Sequence, residues 1–282
     1  MILVFGKTGQ VASELRKHPE VHALGRPEAD LSDPAGCCAE ILLHKPSAVI
    51  NAAAYTGVDK AEGEENLATL INAQTPGAMA RLCAELEIPF LHVSTDYVFD
   101  GGGDASRVET DPVDPQNAYG RSKLASEKAV LSAGGNSAIL RTSWVFSAQG
   151  ENFVKSMLRL SKTHPSLNVV ADQIGGPTPA RGIADALVTM SNAMRLGQQG
   201  GVYHYAGAPS VSWADFAREV FAQSGSEVSV NDIPSTDYPT PATRPLNSRL
   251  DCSKIQRDFG INPPDWRQGL SQVLNQLKEN TT

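Results

Sequence analysis

The sequence has little of what marks several classes of protein. Its 282 residues include only 4 cysteines, Cys37, Cys38, Cys83 and Cys252, which form no C-x-x-C pair and no Cys/His spacing suited to zinc. Disulfide-stapled scaffolds and zinc modules are therefore excluded, and we expect buried free thiols in a reducing compartment. The chain also lacks any uncharged apolar run of about 18 residues, so we predict no transmembrane helix.

Positive charge is scarce as well. Lysine and arginine number 24 against 31 aspartates and glutamates, which gives a formal net charge of −7. That balance disfavours nonspecific attraction to nucleic acid or to an anionic membrane, and we expect neither as a partner. The N-terminal apolar run has no basic region before it and gives way at once to glycines, unlike a secretory signal. We therefore expect a cytoplasmic protein.

What is present is an alternation of short apolar runs with longer amphipathic stretches through about the first 140 residues. Turn residues such as Gly6, Pro27 and Pro89 bound the apolar runs, and this pattern is typical of βαβ units with a parallel sheet. The predicted strands are 2–5, 21–24, 48–50, 90–93 and 138–140, and the predicted helices are 11–17, 34–43, a stretch reaching about 86, and 118–131.

Beyond about residue 142 the alternation loosens. Helices are predicted at about 152–161, 180–196, 213–223 and 266–279, with shorter strands at 167–170, 202–205 and 228–230. The fold prediction is α/β: a Rossmann-type doubly wound parallel sheet in residues 1–145, followed by a smaller C-terminal α/β substrate lobe in residues 146–282. The boundary is approximate, and elements of the two parts can interleave. A cleft between them is the natural place for a ligand.

The first predicted strand runs directly into a G-x-x-G-x-x-A turn, Gly6 to Ala12, that opens a helix. The glycines Gly6 and Gly9 allow a tight turn in which backbone N–H groups approach a pyrophosphate. A triphosphate-binding P-loop is excluded, because it needs a glycine five residues before Gly6, where Met1 stands. A plain glycine-rich turn is the alternative, but the strand–turn–helix position favours dinucleotide binding by residues 1–145.

The end of the second strand indicates which dinucleotide. An acid normally binds the ribose 2′-hydroxyl there, yet this sequence reads Leu24-Gly25-Arg26-Pro27. A guanidinium suits a 2′-phosphate, so we predict NADPH as the preferred cofactor, with NADH possible. The alternative is that Arg26 is a solvated turn residue.

Tyr119 and Lys123 stand four residues apart on a predicted helix and so share one face. They follow the fourth strand, whose end carries Ser94-Thr95-Asp96. A neighbouring ammonium and the positive nicotinamide would lower the tyrosine pKa toward the working pH. Tyr119 could then act as a general acid toward a carbonyl oxygen as hydride reaches its carbon. The alternative is that Tyr119 and Lys123 are an ordinary exposed i,i+4 pair on the helix surface.

These motifs resemble those of the extended short-chain dehydrogenase/reductases and, within them, the dTDP-4-dehydrorhamnose reductases. The resemblance extends to about Leu277. It implies NADPH-dependent reduction of the C4 ketone of dTDP-4-dehydro-L-rhamnose to dTDP-L-rhamnose, in nucleotide-sugar biosynthesis. Its motifs are Gly6 to Gln10, Asn51 to Thr56, Val58 to Glu62, Ser94 to Phe99, Tyr119 to Lys123, Arg141 to Phe146, Asp172 to Thr178, and Tyr238 to Leu250.

The resemblance also implies roles for individual residues. Thr95 would hydrogen-bond the 4-oxygen of the sugar, Tyr119 would protonate it, and Lys123 would hold the nicotinamide ribose. The implied cofactor contacts are Thr8, Gln10 and Val11 at the pyrophosphate, Asp30 and Leu31 at the adenine, and Ala52, Ala53 and Ala54 at the ribose.

The implied substrate contacts lie later in the chain. Thr56, Tyr97 and Trp144 would line the sugar pocket, with Trp144 offering a flat apolar face. Arg244, helped by Asn152 and Asn247, would bind the diphosphate bidentately. Considered without its motif, a lone tryptophan such as Trp144 is more often a core residue. The alternative for Arg244 is a surface arginine in a proline-rich loop.

One position departs from the family pattern. Some members carry a glutamate shortly after the Gly-x-Pro-Thr motif that takes part in a magnesium-linked dimer, but the corresponding residue here is Arg181. A cation repels a metal ion, so we predict no metal there and activity unchanged by a chelator. The oligomeric state stays open between monomer and homodimer.

Two other functions compete with the reductase. A nucleotide-sugar epimerase or 4,6-dehydratase would share every cofactor motif, although a dehydratase needs Asp-Glu directly after the threonine, where this chain has Asp96-Tyr97. A noncatalytic cofactor-binding regulatory module is the second alternative. Such modules commonly lose the tyrosine or the lysine, whereas this chain keeps Thr95, Tyr119 and Lys123 together.

Overall fold

Short strands alternate with helices along the chain, which a computed structural model describes over residues 1–279. The strands are β1 Ile2–Phe5, β2 Val21–Leu24, β3 Ala48–Asn51, β4 Phe90–Thr95, β5 Ser137–Thr142, β6 Val145–Phe146, β7 Ser166–Val170, β8 Ile174–Gly175, β9 Thr178–Pro179, β10 Gly201–His204, β11 Val211–Ser212, β12 Ser229–Ile233 and β13 Asn247–Ser248. The helices are α1 Gln10–Leu15, α2 Pro34–His44, α3 Val58–Ala61, α4 Glu65–Thr69, α5 Thr75–Glu85, α6 Ala118–Leu131, α7 Phe153–Leu160, α8 Ala180–Arg195, α9 Trp213–Ser224, α10 Ser253–Phe259 and α11 Trp266–Glu279. A π-helical turn, Leu70–Gln74, joins α4 to α5, and 3₁₀ turns lie at Asp96–Val98 and Ser235–Asp237.

Six parallel strands form the main sheet, in the order β10-β5-β4-β3-β1-β2. Successive side chains of β1 point to opposite faces: Ile2 and Val4 pack with residues of α1 and α8, whereas Leu3 and Phe5 pack with residues of α2 and α5. Helices therefore cover both faces, which explains why β1, β3 and β5 are continuous buried runs. The predicted doubly wound α/β fold is confirmed.

The second part of the chain contributes to this sheet. We expected the strand at 202–205 to belong to the smaller lobe, but β10 pairs in parallel with β5 and forms the edge of the main sheet. Helix α8 supplies the crossover and packs on the sheet through Ile183 and Leu187. The physical reason is that β5 would otherwise leave a buried edge of unpaired backbone groups. The two proposed domains therefore interleave after residue 145.

A second core defines the smaller lobe. Helices α7, α9 and α11 pack together through Val154, Phe216, Trp266 and Leu270, beside the two-stranded parallel pair of β7 and β12. The shorter strands form two further small sheets, β11-β8-β13 and β6-β9. Residues 280–282, which the proposed lobe includes, lie outside the described residues.

Helix α10 was not predicted. It has seven residues and buries one of them, Ile255, so its sequence shows too little apolar periodicity to reveal a helix. Within residues 1–279, no helix combines the length and apolar character needed to cross a bilayer.

Candidate active site

A cavity of about 840 Å³ lies at the carboxyl ends of the parallel strands. This is where ligands bind in open α/β sheets. Most of the site residues predicted from the sequence line it: Gly6, Thr8, Gly9, Gln10, Val11, Arg26, Asp30, Leu31, Ala52, Ala53, Ala54, Thr56, Thr95, Tyr97, Tyr119, Lys123 and Trp144. Asn152, Arg244 and Asn247 are not among the lining residues.

The glycine turn after β1 forms one end of the cavity. Gly6 has φ +119°, and a Cβ there would lie 3.3 Å from both Ala12 and the Ala52 backbone, so a larger residue would be strained. Ala12 in turn allows α1 to approach the sheet closely. Since Gly9 at the start of α1 has no side chain to cap the helix, the first amides are left to face the cavity. This cradle suits the pyrophosphate of a dinucleotide.

The turn after β2 carries the residues expected at the adenosine end. The Arg26 side chain is 79% exposed, and its Nε lies 3.0 Å from Asp30 Oδ2. Hydrogen bonds from the Ser32 backbone and from Arg26 lower the pKa of Asp30, so the carboxylate stays ionised. Arg26 is thus held beside the cavity by one surface ion pair and leaves guanidinium donors for another anion.

Thr95 and Tyr119 both line the cavity. Thr95 is the last residue of β4, accepts a hydrogen bond from the Tyr97 backbone N–H at 3.2 Å and donates one to Asp96 Oδ1 at 3.0 Å. Tyr119 lies in the first turn of α6, which begins after the Asn117 cap, and its ring contacts the Tyr97 ring edge-on at 5.7 Å. The Thr95 side chain neighbours the Tyr119 hydroxyl and acts to lower its pKa.

The direction of the Tyr119 pKa differs from our prediction. Burial, reinforced by the negative charge of Asp96, raises the pKa of Tyr119 instead of lowering it. Lys123 does not offset this effect, because its Nζ donates to Val93 O at 2.7 Å and lies 3.1 Å from His92 Nε2. The prediction also counted the nicotinamide charge, which the chain itself does not supply. Burial lowers the pKa of Lys123 to about 8.

A buried histidine behind Lys123 was missed by the sequence analysis. His92 is fully buried in β4, and its Nδ1 lies 3.1 Å from Asn51 Nδ2. Its Nε2 lies 2.6 Å from Ser126 Oγ, and burial holds its pKa well below the ordinary value. A histidine within an otherwise apolar strand was the available signal. The neutral ring helps to position Lys123 at the cavity wall.

The opposite end of the cavity is aromatic. Trp144 stacks on Trp213 with ring centroids 3.6 Å apart and an angle of 12° between the planes, and both line the cavity. Trp144 has φ +49°, a strained conformation for a residue with a side chain. The Trp213 Nε1–H donates to Gln173 Oε1 at 3.2 Å. Trp213 was not predicted as a site residue, because its position in α9 gave no sign that it faces Trp144.

The three predicted substrate residues outside the cavity have other partners. Arg244 Nη2 pairs with Asp59 Oδ2 at 2.7 Å, while its Nη1 is buried without a hydrogen-bond partner among the described residues. Arg244 lies beside Tyr97, next to the main cavity. Asn247 Nδ2 donates to the backbone oxygen of Ala105 at 2.8 Å.

Asn152 has structural hydrogen bonds as well. Its Nδ2 donates to Gln10 Oε1 at 2.9 Å, and its Oδ1 caps α7. Arg181 is 63% exposed, and its Nε lies 3.9 Å from Asp185 Oδ2. The absence of a metal at that position stays a prediction.

The parallel sheet, the glycine turn and the Tyr-Lys pair in one cavity define a protein of the extended short-chain dehydrogenase/reductase class. Within that class, the model of the RmlD substrate binding domain family matches residues 1–279, and the chain belongs to this family. It is 43% identical to a dTDP-4-dehydrorhamnose reductase of Sinorhizobium fredii, over 97% of this chain and 96% of that one.

Solved structures of dTDP-4-dehydrorhamnose reductases are also similar to this chain. The dTDP-4-dehydrorhamnose reductase of Clostridium acetobutylicum is similar with a TM-score of 0.92 and 34% identity, over 98% of this chain and 99% of that chain. The corresponding reductase of Bacillus anthracis, solved in complex with NADP, has a TM-score of 0.90 and 31% identity, over 98% of each chain.

Proposed function

We propose that this protein reduces the C4 ketone of dTDP-4-dehydro-L-rhamnose to give dTDP-L-rhamnose, with NADPH as the cofactor. The observation that carries the proposal is the meeting of Thr95, Tyr119 and Lys123 in one cavity with the glycine turn after β1. The reductases described above support the choice of substrate, because they match this chain over almost its full length.

The glycine turn after β1 and the volume of the cavity fit a dinucleotide. NADPH, when bound, supplies the hydride for the carbonyl carbon. Tyr119 donates its proton to the carbonyl oxygen, so that an alcohol and not an alkoxide is released. The Thr95 hydroxyl orients that oxygen, and Lys123, which lines the cavity, would hold the nicotinamide ribose.

The aromatic end of the cavity is the proposed sugar pocket. Trp144 and Trp213 present flat apolar faces, and a deoxysugar has an apolar face of its own to lie against them. Thr56 and Tyr97 complete this wall. Arg244 is the proposed diphosphate ligand, because its Nη1 has no hydrogen-bond partner in the part of the chain that the structure describes. We propose no direct ligand contact for Asn152 and Asn247, which support the neighbouring loops.

Three further proposals concern the setting of the enzyme. We propose a cytoplasmic location, a nucleotide-sugar substrate without nucleic-acid or membrane partners, and a monomer or homodimer that needs no metal at Arg181.

The test is to incubate the purified protein with NADPH and a panel of 4-keto nucleotide sugars and to follow the absorbance of the reduced nicotinamide. We expect stoichiometric consumption of NADPH with dTDP-4-dehydro-L-rhamnose. An epimerase or dehydratase is redox-neutral over its cycle and would convert its substrate without net consumption. A noncatalytic module would bind NADPH and consume none, so either result would contradict the proposal.

A further inference from the structure

The carboxyl group of Asp96 lies in the proposed active site, and the mechanism above gives it no role. Asp96 follows Thr95 in the turn after β4, lines the cavity and is 3% exposed. Its Oδ1 accepts the Thr95 hydroxyl hydrogen bond at 3.0 Å. Its Oδ2 is buried and has no hydrogen-bond partner within residues 1–279. Such a group is costly to keep ionised.

The charged groups around Asp96 are directed elsewhere. On α6, Lys123 directs its ammonium group to Val93 O and His92. From the C-terminal segment, Arg244 pairs with Asp59.

The neutral groups next to Asp96 do not compensate its charge. The negative charge of Asp96 raises the pKa of both the Tyr97 and the Tyr119 hydroxyl. Ser248 of β13 lowers the pKa of Asp96, and within residues 1–279 its buried Oγ has no partner at hydrogen-bonding distance. Burial outweighs these contacts and raises the pKa of Asp96 to about 6.

The Thr95 hydroxyl has a single proton, so its direction depends on Asp96. An ionised carboxylate can only accept hydrogen bonds, and it therefore takes the Thr95 proton. Thr95 Oγ1 can then only accept hydrogen bonds from its other neighbours. One of its two lone pairs already accepts the Tyr97 backbone N–H. In that state Thr95 cannot donate to the carbonyl oxygen of a ligand.

We propose that Asp96 is a positioning residue that sets the direction of the Thr95 hydroxyl, and that the ketone is reduced while Asp96 is protonated. The inference rests on the proposed function. A proton on Asp96 Oδ1 is donated to Thr95 Oγ1, which frees the Thr95 proton for the carbonyl oxygen. Oδ2 is then an uncharged carbonyl oxygen, for which burial without a partner costs less. Asp96 keeps its proton, and the proton consumed by the reaction comes from Tyr119.

This arrangement predicts the sign of a pH dependence. The enzyme with protonated Asp96, which is the form that reduces the ketone, predominates below the pKa of Asp96. This form is lost as the pH rises through that pKa. A diphosphate ligand adds negative charge and excludes water, so it moves that pKa upward from about 6. We therefore expect kcat to fall as the pH rises, by about tenfold per pH unit once a single group ionises.

The test compares wild type, D96N and S248A by measuring kcat from pH 5 to 8.5 with saturating NADPH and dTDP-4-dehydro-L-rhamnose. An asparagine amide donates a hydrogen bond at every pH, so D96N is expected to lose the decline. The ratio of kcat at pH 6 to kcat at pH 8 should fall from at least about tenfold to less than about threefold. S248A should shift the decline to higher pH, because Ser248 lowers the pKa of Asp96.

The outcomes separate this inference from the proposed function. A wild type that oxidises no NADPH with this substrate contradicts the function itself. An active wild type whose decline persists in D96N, or has the opposite sign, overturns the role of Asp96. A D96N variant that has wild-type Tm and NADPH affinity but no activity also overturns it, since the amide should replace the protonated acid. If D96N does not fold, an unshifted decline in S248A decides against the proposal.

Discussion

The cofactor end and the substrate end of the cavity are assembled in different ways. The cofactor end consists of three turns, each directly following a strand of the main sheet: Gly6 to Val11, Arg26 to Leu31, and Ala52 to Ala54. The substrate end brings together Thr56, Tyr97, Trp144 and Trp213 from four separate parts of the chain. Residues that are close in sequence therefore form the cofactor end. Residues that are distant in sequence and pack together form the substrate end.

The backbone of Trp144 illustrates the second case. Its left-handed conformation is unfavourable in isolation and persists only where the surroundings hold it. Trp213 covers one face of its ring, and a Cβ at Gly175 would lie 2.7 Å from the indole. The position of the Trp144 ring thus depends on two elements of the smaller lobe, α9 and β8. Substitutions at the two ends should therefore have separable effects.

Tyr119 is the proposed proton donor, and its substitution should have the largest effect. Tyr119→Phe removes the proton donor but keeps the ring that packs against Tyr97. We expect kcat to fall by about two to four orders of magnitude, with an unchanged Kd for NADPH. Steady-state rates and fluorescence titration of NADPH measure the two quantities. A variant with wild-type rates would refute the assignment of the acid.

Lys123 should affect chemistry and cofactor binding together, unlike any residue of the sugar pocket. Lys123→Ala removes a charged donor, so we expect kcat to fall by about 100-fold and NADPH to bind about tenfold more weakly. Because burial lowers the pKa of Lys123 to about 8, the ammonium is lost as the pH rises through that value, and wild-type affinity for NADPH should fall there.

Lys123→Met is the matched variant for this test, since it fills the space without a charge. A Met variant that binds NADPH like wild type would show that the alanine effect is one of packing.

Trp213 should affect only the substrate end. Trp213→Ala removes one ring of the stacked pair and the support of Trp144, so we expect the KM for the nucleotide sugar to rise about tenfold. The Kd for NADPH should stay the same. Phe153→Leu is the control, because Phe153 packs on Trp213 but does not line the cavity. An equal rise in KM for both variants would mean that the ring acts through packing alone.

The same contrast explains how far the sequence could predict the site. The turn after β1 and the Tyr119–Lys123 pair have fixed spacing, so the pattern alone located them on one sheet edge. The stacking of Trp213 on Trp144 and the Arg244–Asp59 pair join distant segments, and no periodicity encodes them. The raised pKa of Tyr119 could not be predicted from the sequence either, because burial depends on the packed structure and outweighs the local charges.

Arg26 offers the smallest and most specific test of the cofactor end. Its exposed guanidinium forms a surface ion pair with Asp30, so its removal should cost little stability. Arg26→Ala removes the donor proposed for a 2′-phosphate, which NADPH has and NADH lacks. We expect the KM for NADPH to rise about tenfold while that for NADH stays unchanged, and the KM for the sugar should not move. Arg195→Ala, on α8 outside the cavity lining, is the matched loss of one arginine. Equal KM ratios for wild type and Arg26→Ala would leave Arg26 as a solvated turn residue and would require another source for any preference for NADPH.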